Sequence, residues 1–277
     1  MATLPERKSP AGKRVSLFAT CMVDMIYPQT GMAVVDVLEH LGVQVDFPQA
    51  QTCCGQPGFN AGYQDEAKEV AKQFLRAFHE SEVIVAPSGS CVAMIRHEYP
   101  TLFADDPKWL PHAQDAAAKT WEITEFIVNG LGITDLNARL PQPQSIAMHD
   151  ACHGLRLLGL GDSARTLLNN VENLTLEDLP DADKCCGFGG LFSVKMAGVS
   201  NAMLQKKMAC INECPASHIV TGDVSCMTHM NGGLSRTQSA SKVSHVMDLL
   251  AEGVRHAKSQ TAGDQNDSET IPADYSI

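Results

Sequence analysis

No run of 18 uncharged apolar residues occurs in this chain, so no membrane-spanning helix is expected. Positive charge is scarce: 21 Lys and Arg stand against 32 Asp and Glu, a formal net charge of −11. That balance argues against nucleic acid and anionic membranes as partners. There is no glycine-rich dinucleotide fingerprint, no Walker loop and no HExxH pair, so the sequence shows no binding motif for flavin or nicotinamide. The tight CxxCxxC run of ferredoxins is missing too. The charged opening MATLPERKSPAGKR has no apolar segment behind it. It reads as a flexible leader over residues 1–12 rather than a secretory signal, which makes the reducing cytoplasm the expected compartment.

What the chain does have is ten cysteines, and eight of them form one pattern written twice. The first copy is Cys21, the pair Cys53-Cys54 followed by Gly55, and Cys91. The second is Cys152, the pair Cys185-Cys186 followed by Gly187, and Cys226, displaced by 131 to 135 residues. A lone cysteine is most often a small core residue. Eight in a duplicated register, in a reducing compartment, point instead to thiolate ligands of a metal or cluster.

The surrounding pattern repeats as well. Residues 15–20, 43–47 and 83–86 read as short buried strands, and 30–41 and 64–79 as amphipathic helices. In the second half, 145–149, 174–176 and 217–221 read as strands, and 162–170 and 196–212 as helices. A helix over 114–129 and the proline-bearing stretch RLPQPQ join the copies, and a last helix is expected at 245–254. The fold class is α/β: two duplicated, similar domains with short parallel sheets and metal sites at the carboxyl edges of their strands. The expected boundaries are 13–143 for the first domain with its linking helix, 144–254 for the second, and a disordered tail over 255–277.

In a parallel layer the carboxyl ends of the strands share one edge, so cysteines distant in sequence can converge there. Gly55 and Gly187 would let the backbone turn tightly around a bulky inorganic centre. Adjacent cysteines reach two neighbouring irons more easily than one small ion. All-thiolate ligation suits an iron–sulfur cluster or zinc. Cys210 and Cys214 lie outside the repeat; their spacing places them on one helix face and permits a metal role without requiring it. Ser88 and Asp223 occupy matching positions three residues before Cys91 and Cys226. Helix capping is their expected role, with Asp223 a further candidate iron ligand. His149, His153 and His229 lie close enough in sequence to tune a cluster through hydrogen bonds.

The stretches SLFATCMVDMIYPQTG, VDFPQAQTCCGQP, PSGSCVAM, HDACHGLR, CCGFGGLFSVK and SCMTH carry a resemblance to the cysteine-rich CCG-domain family, over roughly residues 13–252. That family includes the heterodisulfide reductase B subunit and the iron–sulfur subunit of glycolate oxidase. The chain is most similar to its bacterial lactate-oxidising branch. The resemblance implies an iron–sulfur electron-transfer subunit, part of an oxidoreductase complex rather than a complete enzyme, in a system oxidising L-lactate to pyruvate. It further implies other subunits as partners, including a ferredoxin-type iron–sulfur protein. The family pattern ends each copy in CxxC, whereas Ser88-Gly89-Ser90-Cys91 and Asp223-Val224-Ser225-Cys226 keep only the second cysteine. Four cysteines per copy remain, a number that fits a [4Fe-4S] cluster in each. Zinc in one or both domains is the alternative. Glycolate-oxidising or heterodisulfide-reducing complexes, and a zinc-stabilised scaffold, are the rival functions.

Overall fold

Eight short strands carry the architecture. They are β1 (Arg14–Leu17), β2 (Gln44–Asp46), β3 (Ile84–Ala86), β4 (Thr120–Glu122), β5 (Arg139–His149), β6 (Glu172–Glu177), β7 (His218–Thr221) and β8 (Lys242–His245). This computed structural model describes residues 14–267, and side chains as far as 260, so the expected 1–12 leader lies outside the described residues. The strands form two four-stranded sheets with orders β2-β1-β3-β4 and β6-β5-β7-β8. Every pairing is parallel. The repeat seen in the cysteines is therefore a repeat of topology.

Burial explains why the central strands read so clearly. Val15, Leu17, Ile84, Val85, Ile219 and Val220 are all buried, as a parallel sheet covered on both faces requires. Edge strand β2 is half exposed along its length. The helix Pro28–His40 starts with proline, which lacks the N–H that a first turn leaves unused, and it buries Ala33, Val34, Val37 and Leu38 on one face.

Three expectations change. The helix expected at 114–129 is interrupted: Leu110–Lys119 is helical, then β4 intervenes before Ile123–Glu125 resumes. β4 is three residues, Thr-Trp-Glu, too short for a periodicity to register. β8 escapes notice for the same reason. The RLPQPQ stretch is part of β5 rather than a linker, pairing with β6 from Arg139 onward across a register shift. The last helix runs from Val246 to Asp267, so 255–267 continues a helix where a disordered tail is expected; 268–277 lies outside the described residues.

The two halves exchange their last helices. Val246–Asp267 packs on Pro28–His40 of the first half, and Ile123–Glu125 with the π-helical turn Phe126–Gly130 packs on Ser163–Asn169 of the second. Thr30 Oγ1 donates to Asp248 Oδ2 at 3.2 Å, and Arg255 pairs with Asp36 at 2.6 Å. One apolar core accordingly runs through both sheets, joining Val34, Val85 and Phe126 to Met148, Leu168 and Leu250.

Leu250 is fully buried in this shared core, so Leu250→Ala should cost about 2–5 kcal/mol. Both tryptophans, Trp109 and Trp121, sit in the first half. The variant's denaturant midpoint should fall equally by tryptophan fluorescence and by circular dichroism. A fluorescence transition left at its original midpoint would show that the halves unfold independently.

Candidate metal centre

The strand order reverses between β1 and β3 and again between β5 and β7, the points where open α/β sheets form crevices at their carboxyl ends. Cys21 follows β1, Cys53 and Cys54 follow β2, and Cys91 follows β3. Cys152, Cys185-Cys186 and Cys226 stand in the same relation to β5, β6 and β7. The sulfurs lie in four close pairs. Cys21–Cys53 are 3.6 Å apart and Cys54–Cys91 3.4 Å; Cys152–Cys185 are 3.9 Å apart and Cys186–Cys226 3.3 Å. Each adjacent pair thus splits, one sulfur turning to the cysteine after the first strand and the other to the cysteine after the third. All ten cysteines are free thiols.

The two sets are not separate. All eight cysteines line one cavity of about 160 Å³ between the halves. Ser88 and Asp223 are among its lining residues and join the two halves there. Ser88 caps the helix Gly89–Ala93 by accepting from the Cys91 N–H at 3.3 Å. Asp223 caps the helix Val224–Arg236, its Oδ1 accepting from the Ser225 N–H at 3.0 Å. Its Oδ2 crosses to the first half and accepts from the Ser90 N–H at 2.9 Å and the Ser88 hydroxyl at 3.3 Å. The two residues also pair as an isolated antiparallel bridge. Capping is what the structure shows for both, and both Asp223 oxygens are already engaged.

Backbone geometry around each CCG turn serves the sulfurs. Gly55 and Gly187 have φ of +83° and +96°, which disfavours a side chain. Their N–H groups donate to Cys53 Sγ and Cys185 Sγ, each at 3.4 Å. A Cβ on Gly187 would lie 2.7 Å from the Ser200 carbonyl oxygen and 2.9 Å from Met203 Cβ; on Gly55 the nearest atom, the Ala67 oxygen, would be at 3.3 Å. The turn is therefore pressed against the following helix more tightly in the second half. Cys91 and Cys226 sit in the first turns of their helices.

Proximity makes the thiols unequal. Hydrogen bonds from Cys21 and Cys54, joined by the Gly55 N–H, pull Cys53 down to about 3. Hydrogen bonds from Cys152 and Cys186, joined by the Gly187 N–H, pull Cys185 down to about 2. Their partners move the other way: the bond given to Cys53, then burial, pushes Cys21 up, and Cys152 is raised likewise by Cys185 and burial. Cys53 and Cys185 are thus favoured as thiolates, and Cys21 and Cys152 are not. A bound cation supplies the missing compensation, which is how metal binding couples to thiol ionisation.

Among the flanking groups, His153 Nδ1 lies 3.7 Å from Cys152 Sγ at the cavity wall. His229 contacts Ser200 Oγ at 3.4 Å and the Phe188 ring edge-on. His149 is fully buried, and a ring nitrogen of it lies with Cys186 Sγ and Cys226 Sγ within 4.8 Å of one another, a group able to hold a metal ion. Cys210 and Cys214 are not brought to the cavity; Cys214 Sγ instead approaches the Asp178 carbonyl at 3.6 Å. Sequence reasoning misses two neighbours of the sulfurs. Thr20, before Cys21, is buried at φ +71°, a strained conformation for a β-branched residue. Lys207 is a buried cation near Cys186. Neither has a sequence signature, since both depend on what packs around them.

A family profile described as CCG, cysteine-rich domain, matches residues 15–96 and again 146–231. The chain is 49% identical to lactate utilization protein A of Macrococcus caseolyticus over 86% of this chain and 96% of that one. It is 46% identical to lactate utilization protein A of Bacillus subtilis over 86% of this chain and 98% of that one. Among solved structures, a hypothetical protein from Helicobacter pylori matches with a TM-score of 0.54 at 12% identity, covering 91% of this chain and 51% of that one, a likeness of fold alone.

Gly187→Ala should lower stability by about 1–3 kcal/mol in a denaturant melt, and Gly55→Ala by less. Equal losses would show that the closer approach in the second half does not matter. In reduced, metal-free protein, iodoacetamide at pH 6 should label Cys53 and Cys185 ahead of every other cysteine. Their lowered pKa keeps them ionised where an ordinary thiol is protonated. Peptide mass mapping reads the order, and uniform labelling would contradict the pairing.

Proposed function

Because the chain belongs to the cysteine-rich CCG-domain family, we propose that it is an iron–sulfur electron-transfer subunit of a complex oxidising L-lactate to pyruvate. The observation that carries this reading is the convergence of eight sulfurs, in four close pairs, on one cavity. The donor set fits iron–sulfur chemistry: soft sulfur ligands, with backbone N–H donors to sulfur in both halves. Cys21, Cys53, Cys54 and Cys91 hold one centre, and Cys152, Cys185, Cys186 and Cys226 the other, each assigned as [4Fe-4S]. Bound there, the clusters supply reversible one-electron transfer.

The protein's own groups position and insulate. Gly55 and Gly187 offer N–H donors, Ser88 and Asp223 fix the helices that carry Cys91 and Cys226, and apolar walls such as Phe188 and Met22 limit water. Asp223, the cavity's carboxylate, is fully engaged in capping and in the junction, so it is not free to act as a base. In this reading chemistry on lactate belongs to a partner in a cytoplasmic assembly that includes a ferredoxin-type iron–sulfur protein; the relatives' name, lactate utilization protein A, supports the link to lactate. No helix among the described residues is long and apolar enough to cross a membrane. Zinc in the second half is a second reading, favoured by the nitrogen beside Cys186 and Cys226.

Anaerobic reconstitution followed by iron and acid-labile sulfide quantification tests the proposal. Iron and sulfide in near-equal amounts are expected; zinc without sulfide would overturn the cluster assignment. Cys186→Ser should sharply reduce the iron retained, whereas Cys210→Ser should leave it near the wild-type level. Equal retention in both variants would contradict the ligand set.

A further inference from the structure

Superposing the two halves by their own register exposes a difference behind the cysteines. His149 stands three residues before Cys152 and Phe18 three before Cys21, each at the end of its central strand. On the following helix, the residues nearest the CCG glycines are Ala67 and Val70 in one half and Ser200 and Met203 in the other, which places Phe74 opposite Lys207. In the first half Phe18 and Phe74 pack edge-to-face at 4.9 Å, and Phe78 and Tyr99 extend the aromatic wall. The second half replaces that pair with a buried histidine and a buried lysine.

The tautomer of His149 follows from its partner. Nδ1 lies 3.0 Å from the Ala182 carbonyl oxygen, which can only accept, so Nδ1 carries the proton. Nε2 is then an unprotonated lone pair. It is fully buried and has no hydrogen-bond partner among the described residues. Leaving a buried acceptor unpaired is costly. A lone pair cannot donate to cluster sulfur. A ring nitrogen of His149 lies with Cys186 Sγ and Cys226 Sγ within 4.8 Å of one another, and with Nδ1 engaged by the carbonyl, Nε2 is the nitrogen left to bind an ion there. A backbone carbonyl fixing the far nitrogen is also the usual outer support of a metal-bound histidine.

We propose that the two sites are chemically different: His149 Nε2 is a metal ligand in the second, alongside Cys186 and Cys226, and the first site is held by sulfur alone. This rests on the reading above that the cavity cysteines bind metal. It assigns to His149 a direct bond rather than a tuning role through the protein. A neutral imidazole nitrogen adds a donor without adding negative charge, so the second site differs from the all-sulfur first site in donor chemistry.

The full chain, labelled with ¹⁵N-histidine and reconstituted anaerobically with iron and sulfide, tests this by pulsed electron paramagnetic resonance after reduction. X-ray absorption at the zinc edge covers any zinc retained. Expected is nitrogen coupling of directly bound strength, or a mixed nitrogen–sulfur zinc shell, lost in His149→Phe and kept in His153→Ala. His149→Phe copies the residue of the first half; should it not fold, His149→Gln takes its place. Metal bound with sulfur alone, or nitrogen coupling unchanged in the His149 variant, overturns the inference and leaves the cluster reading standing. Nitrogen-bound zinc without sulfide supports the ligand and removes the cluster from that site. Failure to hold iron or zinc at all overturns both.

Discussion

Crowding of sulfur is the constraint from which the rest of this structure follows. Four pairs of thiols at 3.3–3.9 Å converge on one cavity. Two thiolates at such a separation repel by about 4 kcal/mol at an effective dielectric near 20. The fold answers with partial positive charge from the glycine N–H groups in the CCG turns. These groups favour Cys53 as a thiolate while its neighbour Cys21 is pushed the other way. An apo site built this way is a poor resting state and a ready receptor for cations.

The same crowding explains why the two halves form one body. Sulfur from both sheets meets across the junction, so the sheets must keep a fixed relation. The Ser88–Asp223 bridge fixes it at the cavity, and the exchanged helices fix it at the far side through the shared core of Val34, Phe126, Leu168 and Leu250. The absence of a cysteine at positions 88 and 223 thus has a structural consequence. A serine and an aspartate can cap helices and bond to each other, which two further thiols could do only weakly.

Much of this is legible in the sequence, and the parts that are not share a cause. Central strands such as β1, β3 and β7 announce themselves because burial on both faces demands continuous apolar runs. The cysteines announce themselves by repetition. β4 and β8 do not, because Thr-Trp-Glu and Lys-Val-Ser-His contain too few residues for a pattern and owe their conformation to the neighbouring strand. The meeting of two cysteine sets in one cavity is equally hidden. A repeat reveals two similar sites, but the angle at which their sheets pack is set by side chains spread over both halves. Cys210 and Cys214 show the converse: a suggestive spacing that the fold directs away from the cavity.

Duplication followed by divergence leaves its mark behind the sulfurs rather than among them. The cavity cysteines, the glycine turns and the helix caps are matched half for half, while His149 and Lys207 stand at the places that Phe18 and Phe74 occupy in the first half. An aromatic wall offers a centre no charge and no donor, so it favours whichever oxidation state carries less net charge. A buried lysine, whose Nζ is held by the Asp181 carbonyl, favours extra negative charge nearby, while the unpaired Nε2 of His149 offers a lone pair. With both sulfur sets lining one cavity, the chemical difference between the halves is supplied by two side chains behind the sulfurs rather than by two kinds of fold.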